Sequence, residues 1–199
     1  MNYIFVIDFE ATCWENKDNK QWCQEIIEFP CVVIDVQKAE IIDIFHEYIS
    51  PVINPQLSQY CINLTGITQK QVDNGALFSE VVERFETFYR KYQELSEQNP
   101  ILILTVGNWD FGTAYKHNCK LFGIENKFRT WCDIKLSFKN AYHTNKAGGM
   151  VKMLNFLGLP LIGRHHSGID DAKNTAQIVL TMIKNDFIKY LNVNGYLDW

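Results

Sequence analysis

Two carboxylates stand close together near the start of the chain, directly after its first apolar run. Asp8 and Glu10 follow the sequence YIFVI at 3–7, which is typical of a strand buried on both faces. Because side chains on a strand alternate with a period of two, both carboxylates should lie on one face, about 7 Å apart. Such a pair is costly when partly buried unless a cation compensates, although D-x-E is also common among solvated acids at strand ends.

Two further acids have spacings that suggest the same chemistry. Asp110 follows the apolar run ILILTV at 101–106, at the kind of strand end where α/β sheets place their sites. An Asp in that position also suits the N-cap of a helix. Farther along, Asp171 shares a helical stripe with Thr175, Ile178 and Met182, so it should face inward and need a partner such as a metal. The polar stripe of Asp170 indicates a solvated or capping acid.

His165 and His166 lie in a glycine-containing loop immediately before the helix of Asp171. Histidine has a pKa near neutrality, which suits a general base acting on a metal-bound water. The residue types alone do not choose between the two, and a histidine in a surface loop often has no chemical role.

The remaining pattern predicts the elements that must position these side chains. Strand-like stretches at 25–35 and 40–50 are joined to the first strand by short connections, which favours an antiparallel meander. Apolar spacings of three and four predict a helix over 77–92, and a strand over 101–106 follows. Further helices are expected over 111–122, 149–157 and 169–185. This order predicts a mixed α/β sheet flanked by helices, in a single domain over 1–199.

Composition narrows the class of protein. The chain has 199 residues, of which 47% are hydrophobic, and a formal net charge of −4. Residues 111–173 nevertheless carry ten Lys or Arg against four Asp or Glu, so a basic face beside an acidic pocket is compatible with the sequence. The six cysteines show no metal-finger or disulfide spacing, and no apolar run approaches the roughly 18 residues of a membrane span. We therefore expect an intracellular protein, cytoplasmic or nuclear, without a membrane partner.

Together these motifs resemble the DEDDh, or DnaQ-like, exonuclease family. The resemblance is carried by VIDFEAT at 6–12, by Asp110, and by His166 with Asp171 in the spacing His-x-x-x-x-Asp. A subfamily, the enhancer-of-RNA-interference exonucleases that include the histone-mRNA 3′ exonuclease, is similar over about residues 3–185. The motifs are DFEATC at 8–13, EIIEFP at 25–30, QLSQYCINLTGIT at 56–68, GNWD at 107–110 and SGIDDAKNTA at 167–176.

The resemblance implies an RNase H-like fold with a mixed five-stranded sheet, and a 3′→5′ exonuclease that releases nucleoside 5′-monophosphates. It also implies that two Mg²⁺ or Mn²⁺ ions are held by four carboxylates, with His166 as the general base. Asp8 would bridge both ions, Glu10 and Asp171 would complete the water-bearing site, and Asp110 would serve the other ion. Residues expected to contact the substrate are Ala11, Thr12, Tyr60, Leu64 and Trp109.

The partner implied by the resemblance is RNA with a single-stranded 3′ end. DNA is the alternative substrate, since the same residues would cut either polymer, and a catalytically weak RNA-binding protein is a second alternative. Lys116, Lys120, Lys146 and Arg164 are candidates for contacts with backbone phosphates. The histone-mRNA enzyme has a SAP domain that helps to grip a stem-loop, and no such domain is expected in this sequence, so the resemblance leaves stem-loop recognition open.

Overall fold

The computed structural model describes residues 1–15, 23–97, 99–145 and 147–197. The strands are β1 (Tyr3–Ile7), β2 (Glu10–Ala11), β3 (Ile26–Asp35), β4 (Glu40–Tyr48), β5 (Leu102–Thr105), β6 (Thr130–Asp133) and β7 (Gly195–Tyr196). The α-helices are α1 (Gln59–Thr65), α2 (Gln69–Asp73), α3 (Phe78–Leu95), α4 (Lys116–Phe122), α5 (Ile134–Tyr142), α6 (Met150–Leu157) and α7 (Gly168–Lys184). A π turn (Asp110–Tyr115) leads directly into α4, and a 3-10 turn (Ile188–Tyr190) follows α7.

The sheet is mixed, with β1 at its centre. β1 pairs antiparallel with β3 and parallel with β5, and β5 pairs parallel with β6. β4 lies antiparallel on the other side of β3, so the predicted meander is confirmed. Among the described residues, five strands have four residues or more, as the five-stranded prediction requires, and the two-residue strands β2 and β7 extend the sheet to seven.

Helices cover both faces of the sheet because the central strands are apolar on both. Phe5 and Ile7 pack into a core with Phe85 of α3 and Tyr115 of the π turn. The alternate side chains of β1 pack into a second core, which contains Ile4, Val6, Phe138, Met153, Ile178 and Met182 from β1, α5, α6 and α7. Burial of both faces is what the uninterrupted run YIFVI predicted.

Several predicted boundaries shift, and the structure adds elements that were not predicted, among them β2, α1, α2, β6, α5 and β7. The helix predicted over 111–122 is helical throughout, but its first turn is π rather than α. The sequence analysis did not locate β6 or α5, which follow one another without a loop. Within the described residues, no helix combines the length and the apolar character that crossing a membrane requires.

Candidate active site

Three of the predicted carboxylates meet at the end of β1. One oxygen from each of Asp8, Glu10 and Asp171 lies within 4.8 Å of the others. Phe9, between the two acids, is only 2% exposed and packs edge-on against Phe29 with 4.6 Å between ring centroids. The strand alternation therefore places Asp8 and Glu10 on one side of the chain, as the period of two predicted.

Asp110 joins this group from the neighbouring strand end. It is 3% exposed, and its Oδ1 accepts a hydrogen bond of 2.8 Å from the backbone N–H of Phe9. It lies inside the π turn instead of capping a helix, so its carboxylate is bonded to the segment that carries Asp8 and Glu10. This hydrogen bond joins the segment that follows β1 to the segment that follows β5.

Asp171 reaches the group because α7 packs closely on β1. A side chain at Gly168 would meet the backbone carbonyl oxygen of Asp8 at 2.6 Å, so only glycine permits this approach. Asp171 is 6% exposed, and Thr175, Ile178 and Met182 on the same stripe are also buried, as the helical pattern predicted. Its Oδ2 accepts from the backbone N–H of His166, whereas its buried Oδ1 has no hydrogen-bond partner among the residues that the structure describes.

The pKa of each of the four acids is raised. Burial, followed by the charges of Asp110, Glu10 and Asp171, raises the pKa of Asp8 well above its ordinary value. Burial also raises the pKa of Glu10 to about 9, of Asp110 to about 7 and of Asp171 to about 6. Groups that resist ionisation together in this way are stabilised by a bound cation, because it favours the charged form of all of them.

These shifts give a prediction for stability. Because the folded chain keeps protons that the unfolded chain releases, the stability of metal-free protein should fall as pH rises through about 6, 7 and 9. Mg²⁺ should remove most of this loss, since it competes with those protons. Thermal unfolding at pH 5 to 9, with Mg²⁺ and with EDTA, measures both curves. Metal-free stability that rises over this range would contradict the assignment.

The two histidines differ in their backbone and in their contacts. His166 adopts a left-handed conformation with φ of 67°, and its backbone N–H donates to Asp171 over 2.9 Å. Burial, then the charges of His165 and Arg164, lower the pKa of the His166 imidazole, which favours the neutral form that a general base requires. The His165 ring stacks on that of His166 at 3.9 Å between centroids.

Sequence reasoning missed Glu28, which lies opposite Glu10 in the pairing of β2 with β3. Its carboxylate is 1% exposed and accepts from the backbone N–H groups of Gly168 at 2.9 Å and of Ile169 at 3.3 Å. His46 Nε2 lies 2.7 Å from the same carboxylate. Glu28 therefore holds the N-terminus of α7 and, through it, Asp171. The signal in the sequence was an acid in the middle of the apolar run IIEFPCVV.

Glu28→Ala should lower the free energy of unfolding by about 2–4 kcal/mol, because two backbone N–H groups and His46 lose their acceptor. Denaturant unfolding in Mg²⁺, where carboxylate repulsion is neutralised, measures this loss. Glu47→Ala is the matched control. Glu47 pairs with Arg84 over 2.6 Å at the surface, and its loss should cost less than about 1 kcal/mol. Equal losses of unfolding free energy in the two variants would show that Glu28 stabilises the fold no more than a surface ion pair does.

The predicted substrate contacts fall into two groups. Tyr60 and Trp109 are 40% and 38% exposed, so they do not belong to the core, and Leu64 is half-buried on the same helix as Tyr60. Ala11 and Thr12 are buried, and the Thr12 hydroxyl accepts from the backbone N–H of Glu25 at 3.0 Å. Contact of any of these five residues with a substrate stays a prediction.

Among the candidate basic residues, Lys116 and Lys120 are exposed on α4, whereas Lys146 lies outside the described residues. The Arg164 guanidinium donates to the backbone carbonyl oxygens of Asn63 and Leu64. It therefore joins the loop that carries His165 and His166 (residues 158–167, the histidine loop) to the end of α1. The backbone N–H of Arg164 donates to Asp170 Oδ2 at 2.9 Å, which leaves Asp170 outside the metal-binding group.

Known proteins are similar to this chain along most of its length. The exonuclease family model (RNase_T) matches residues 5–179. The chain is 38% identical over 187 residues to 3'-5' exoribonuclease 1 of Mus musculus, covering 92% of this chain and 54% of that protein. It is 35% identical over 198 residues to 3'-5' exonuclease Snipper of Drosophila melanogaster, covering 92% and 70%. The chain thus spans about half the length of the mammalian relative.

The fold agrees with a solved structure. The nuclease domain of 3'hExo, a DEDDh family member bound to rAMP, matches with a TM-score of 0.88 and 36% identity over 98% of both chains. This similarity confirms the predicted RNase H-like, mixed α/β architecture.

Proposed function

Because the chain belongs to the exonuclease (RNase_T) family and has the DEDDh nuclease fold, we propose that it is a 3′→5′ exoribonuclease. It removes nucleoside 5′-monophosphates from single-stranded 3′ ends of RNA. The observation that carries this proposal is the convergence of Asp8, Glu10 and Asp171 within 4.8 Å, with Asp110 bonded to the segment between the first two. His166 lies beside them, bonded through its backbone to Asp171.

DEDDh exonucleases depend on metal ions, and the residues here fit such ions. The donors are carboxylate oxygens, which suit Mg²⁺ or Mn²⁺ better than zinc. One buried oxygen, Asp171 Oδ1, has no hydrogen-bond partner in the described part of the chain. We propose that Asp8 would hold both ions, that Glu10 and Asp171 would hold one of them with it, and that Asp110 would hold the other. When bound, such a pair of ions neutralises charge on the phosphoryl oxygens and stabilises both the entering and the leaving oxygen.

The protein's own part in the reaction is to place and deprotonate the attacking water. His166 takes the proton from that water, and its lowered pKa keeps the imidazole able to accept it at neutral pH. Asp171 orients the loop of His166 through the backbone N–H bond. Glu28 holds the N-terminus of α7, the helix that carries Asp171, by accepting a hydrogen bond from the backbone N–H of Gly168.

The terminal nucleotide is proposed to lie between Tyr60, Leu64 and Trp109. Two of these side chains are exposed aromatics, and stacking on an aromatic face contributes roughly 1–3 kcal/mol per base with little sequence preference. Trp109 is adjacent to Asp110, and α1 is held against the catalytic segment, since Cys61 Sγ lies 3.7 Å from the carbonyl oxygen of Ala11. These connections support a seat for the terminal base beside the carboxylates.

RNA is preferred over DNA in this proposal because the similar nuclease domain was solved with rAMP, a ribonucleotide, and a close relative is named an exoribonuclease. Lys135 supplies positive charge near the site, and Lys116 and Lys120, which are exposed on α4, are proposed to contact backbone phosphates. Lys135 Nζ lies against Gly107, two residues before Trp109, and its charge opposes the burial that raises the pKa of Asp110.

We also propose an intracellular location, in keeping with six cysteines that are all free thiols.

A hairpin digestion tests the proposal. A 5′-labelled RNA hairpin with a long single-stranded 3′ tail should shorten to within a few nucleotides of its stem in Mg²⁺. A blunt RNA hairpin should resist, because the terminal base must leave its stack and its pair at every step, which costs a few kcal/mol. A tailed DNA hairpin and a tail ending in 3′-phosphate are the controls. Faster digestion of DNA would make DNA the substrate, and cleavage of circular RNA would exclude an exonuclease.

A further inference from the structure

The histidine loop contains a second cluster of metal-ligating side chains. One donor atom from each of His165, His166 and Asp171 lies within 4.8 Å of the other two. The cluster shares Asp171 with the carboxylate site but offers two nitrogens and one oxygen in place of oxygens alone. Two imidazoles with a carboxylate are a donor set typical of Zn²⁺ and similar transition ions, and a poor one for Mg²⁺.

The side chains have room to close around an ion. His165 Nε2 lies 3.9 Å from Asp171 Oδ2, and the side chain of His165 is 45% exposed. Zinc ligands lie at about 2.0–2.1 Å from the ion, so tetrahedral donors are roughly 3.3 Å apart. The stacked imidazoles, with 24° between their planes, therefore need a movement of about an ångström, which rotation of exposed side chains provides.

We propose that His165, His166 and Asp171 form an inhibitory site for a zinc-class transition metal ion. The binding follows from the cluster itself, whereas the inhibition rests on the proposed nuclease function. An ion in this position would occupy the nitrogen of the general base and would compete for Asp171 with the catalytic ion. In this site His165 is a metal ligand, a role that it does not have in hydrolysis.

The binding test uses Co²⁺, whose visible absorption reports nitrogen coordination. The intact chain, saturated with Mg²⁺, is titrated with Co²⁺ and the signal is then displaced by Zn²⁺. We expect one ion per chain, and an affinity at least about tenfold lower in His165→Ala, because even the loss of an outer partner of a ligand typically weakens a site by 10- to 100-fold. His143→Asn is the control, since it removes an exposed histidine on a left-handed helix cap elsewhere.

The activity test follows RNA digestion in Mg²⁺ as Zn²⁺ is added. His165→Ala should cut RNA at the unmodified rate without Zn²⁺ and need at least about tenfold more Zn²⁺ for half inhibition. Equal Co²⁺ binding or equal Zn²⁺ sensitivity in the two proteins would overturn the proposal, because the ion would then lie among the carboxylates alone. If no protein cuts RNA, the proposed function fails, and the Co²⁺ titration still decides whether the site exists.

Discussion

Asp8→Asn is expected to lower the rate of RNA hydrolysis by at least about a thousandfold. The expectation follows from the position of Asp8, whose carboxylate meets those of Glu10, Asp110 and Asp171 and is assigned to both catalytic ions. Metal ions contribute several kcal/mol to phosphoryl transfer, and each 1.36 kcal/mol corresponds to a factor of ten. Single-turnover digestion of a 5′-labelled RNA in Mg²⁺ measures the loss.

The substitution also separates lost chemistry from lost folding. Asparagine keeps the shape of aspartate without its charge, so metal-free Asp8→Asn should be at least as thermally stable as the parent chain, and Mg²⁺ should stabilise it less. Asp73→Asn, an exposed acid on α2, is the control and should leave activity unchanged. Turnover by Asp8→Asn near that of the parent, or full parental activity in excess EDTA, would disprove the metal assignment.

His166→Ala is expected to lower turnover by about a hundred- to ten-thousandfold while leaving binding of Mg²⁺ and RNA nearly intact. The size of the effect is typical of a lost general base. Because His166 lies at a φ of 67°, which alanine tolerates poorly, His166→Asn is the better second variant, since asparagine adopts this conformation more readily. Both variants should lose turnover to a similar extent.

His165→Ala provides the matched comparison in the same loop. Its side chain stacks on His166 and lies 3.9 Å from Asp171 Oδ2, beyond hydrogen-bond distance, so turnover in Mg²⁺ alone should change little. Two quantities are measured for all three variants. RNA binding is measured in Ca²⁺, under conditions where the RNA is not cut, and turnover is measured in Mg²⁺. A larger loss of turnover in His165→Ala than in His166→Asn would reverse the roles of the two histidines.

Much of the site was predictable because it depends on local periodicity. The strand period of two placed Asp8 and Glu10 together, and the helical stripe of Asp171 placed that residue inward. Asp110 needed the resemblance to known exonucleases, since its bond to the Phe9 N–H joins residues 101 positions apart. Short-range patterns contain no information about such a pairing.

The residues that were missed depend on packing between distant segments. Glu28 acts on the N-terminus of α7, 140 residues later, and its role exists only once β3 and α7 are in contact. β6 and α5 escaped notice because a four-residue strand runs straight into a helix whose cap, Asp133, is the last residue of that strand. The π turn could not be predicted from the sequence either, because the spacing of Phe111, Ala114 and Tyr115 also fits an α-helix.

The π turn makes the length of this segment as important as its side chains. It contains more residues per turn than an α-helix, and it lies between two fixed points. Asp110 is bonded to Phe9 after β1, and Asn118 in α4 accepts from the backbone N–H of Ile26 in β3 at 3.1 Å. Deleting one residue of α4 before Asn118 would rotate Asn118 by about 100° relative to Asp110. The stretch from 110 to 118 therefore tolerates substitution far better than insertion or deletion, and length variation among related chains should fall outside it.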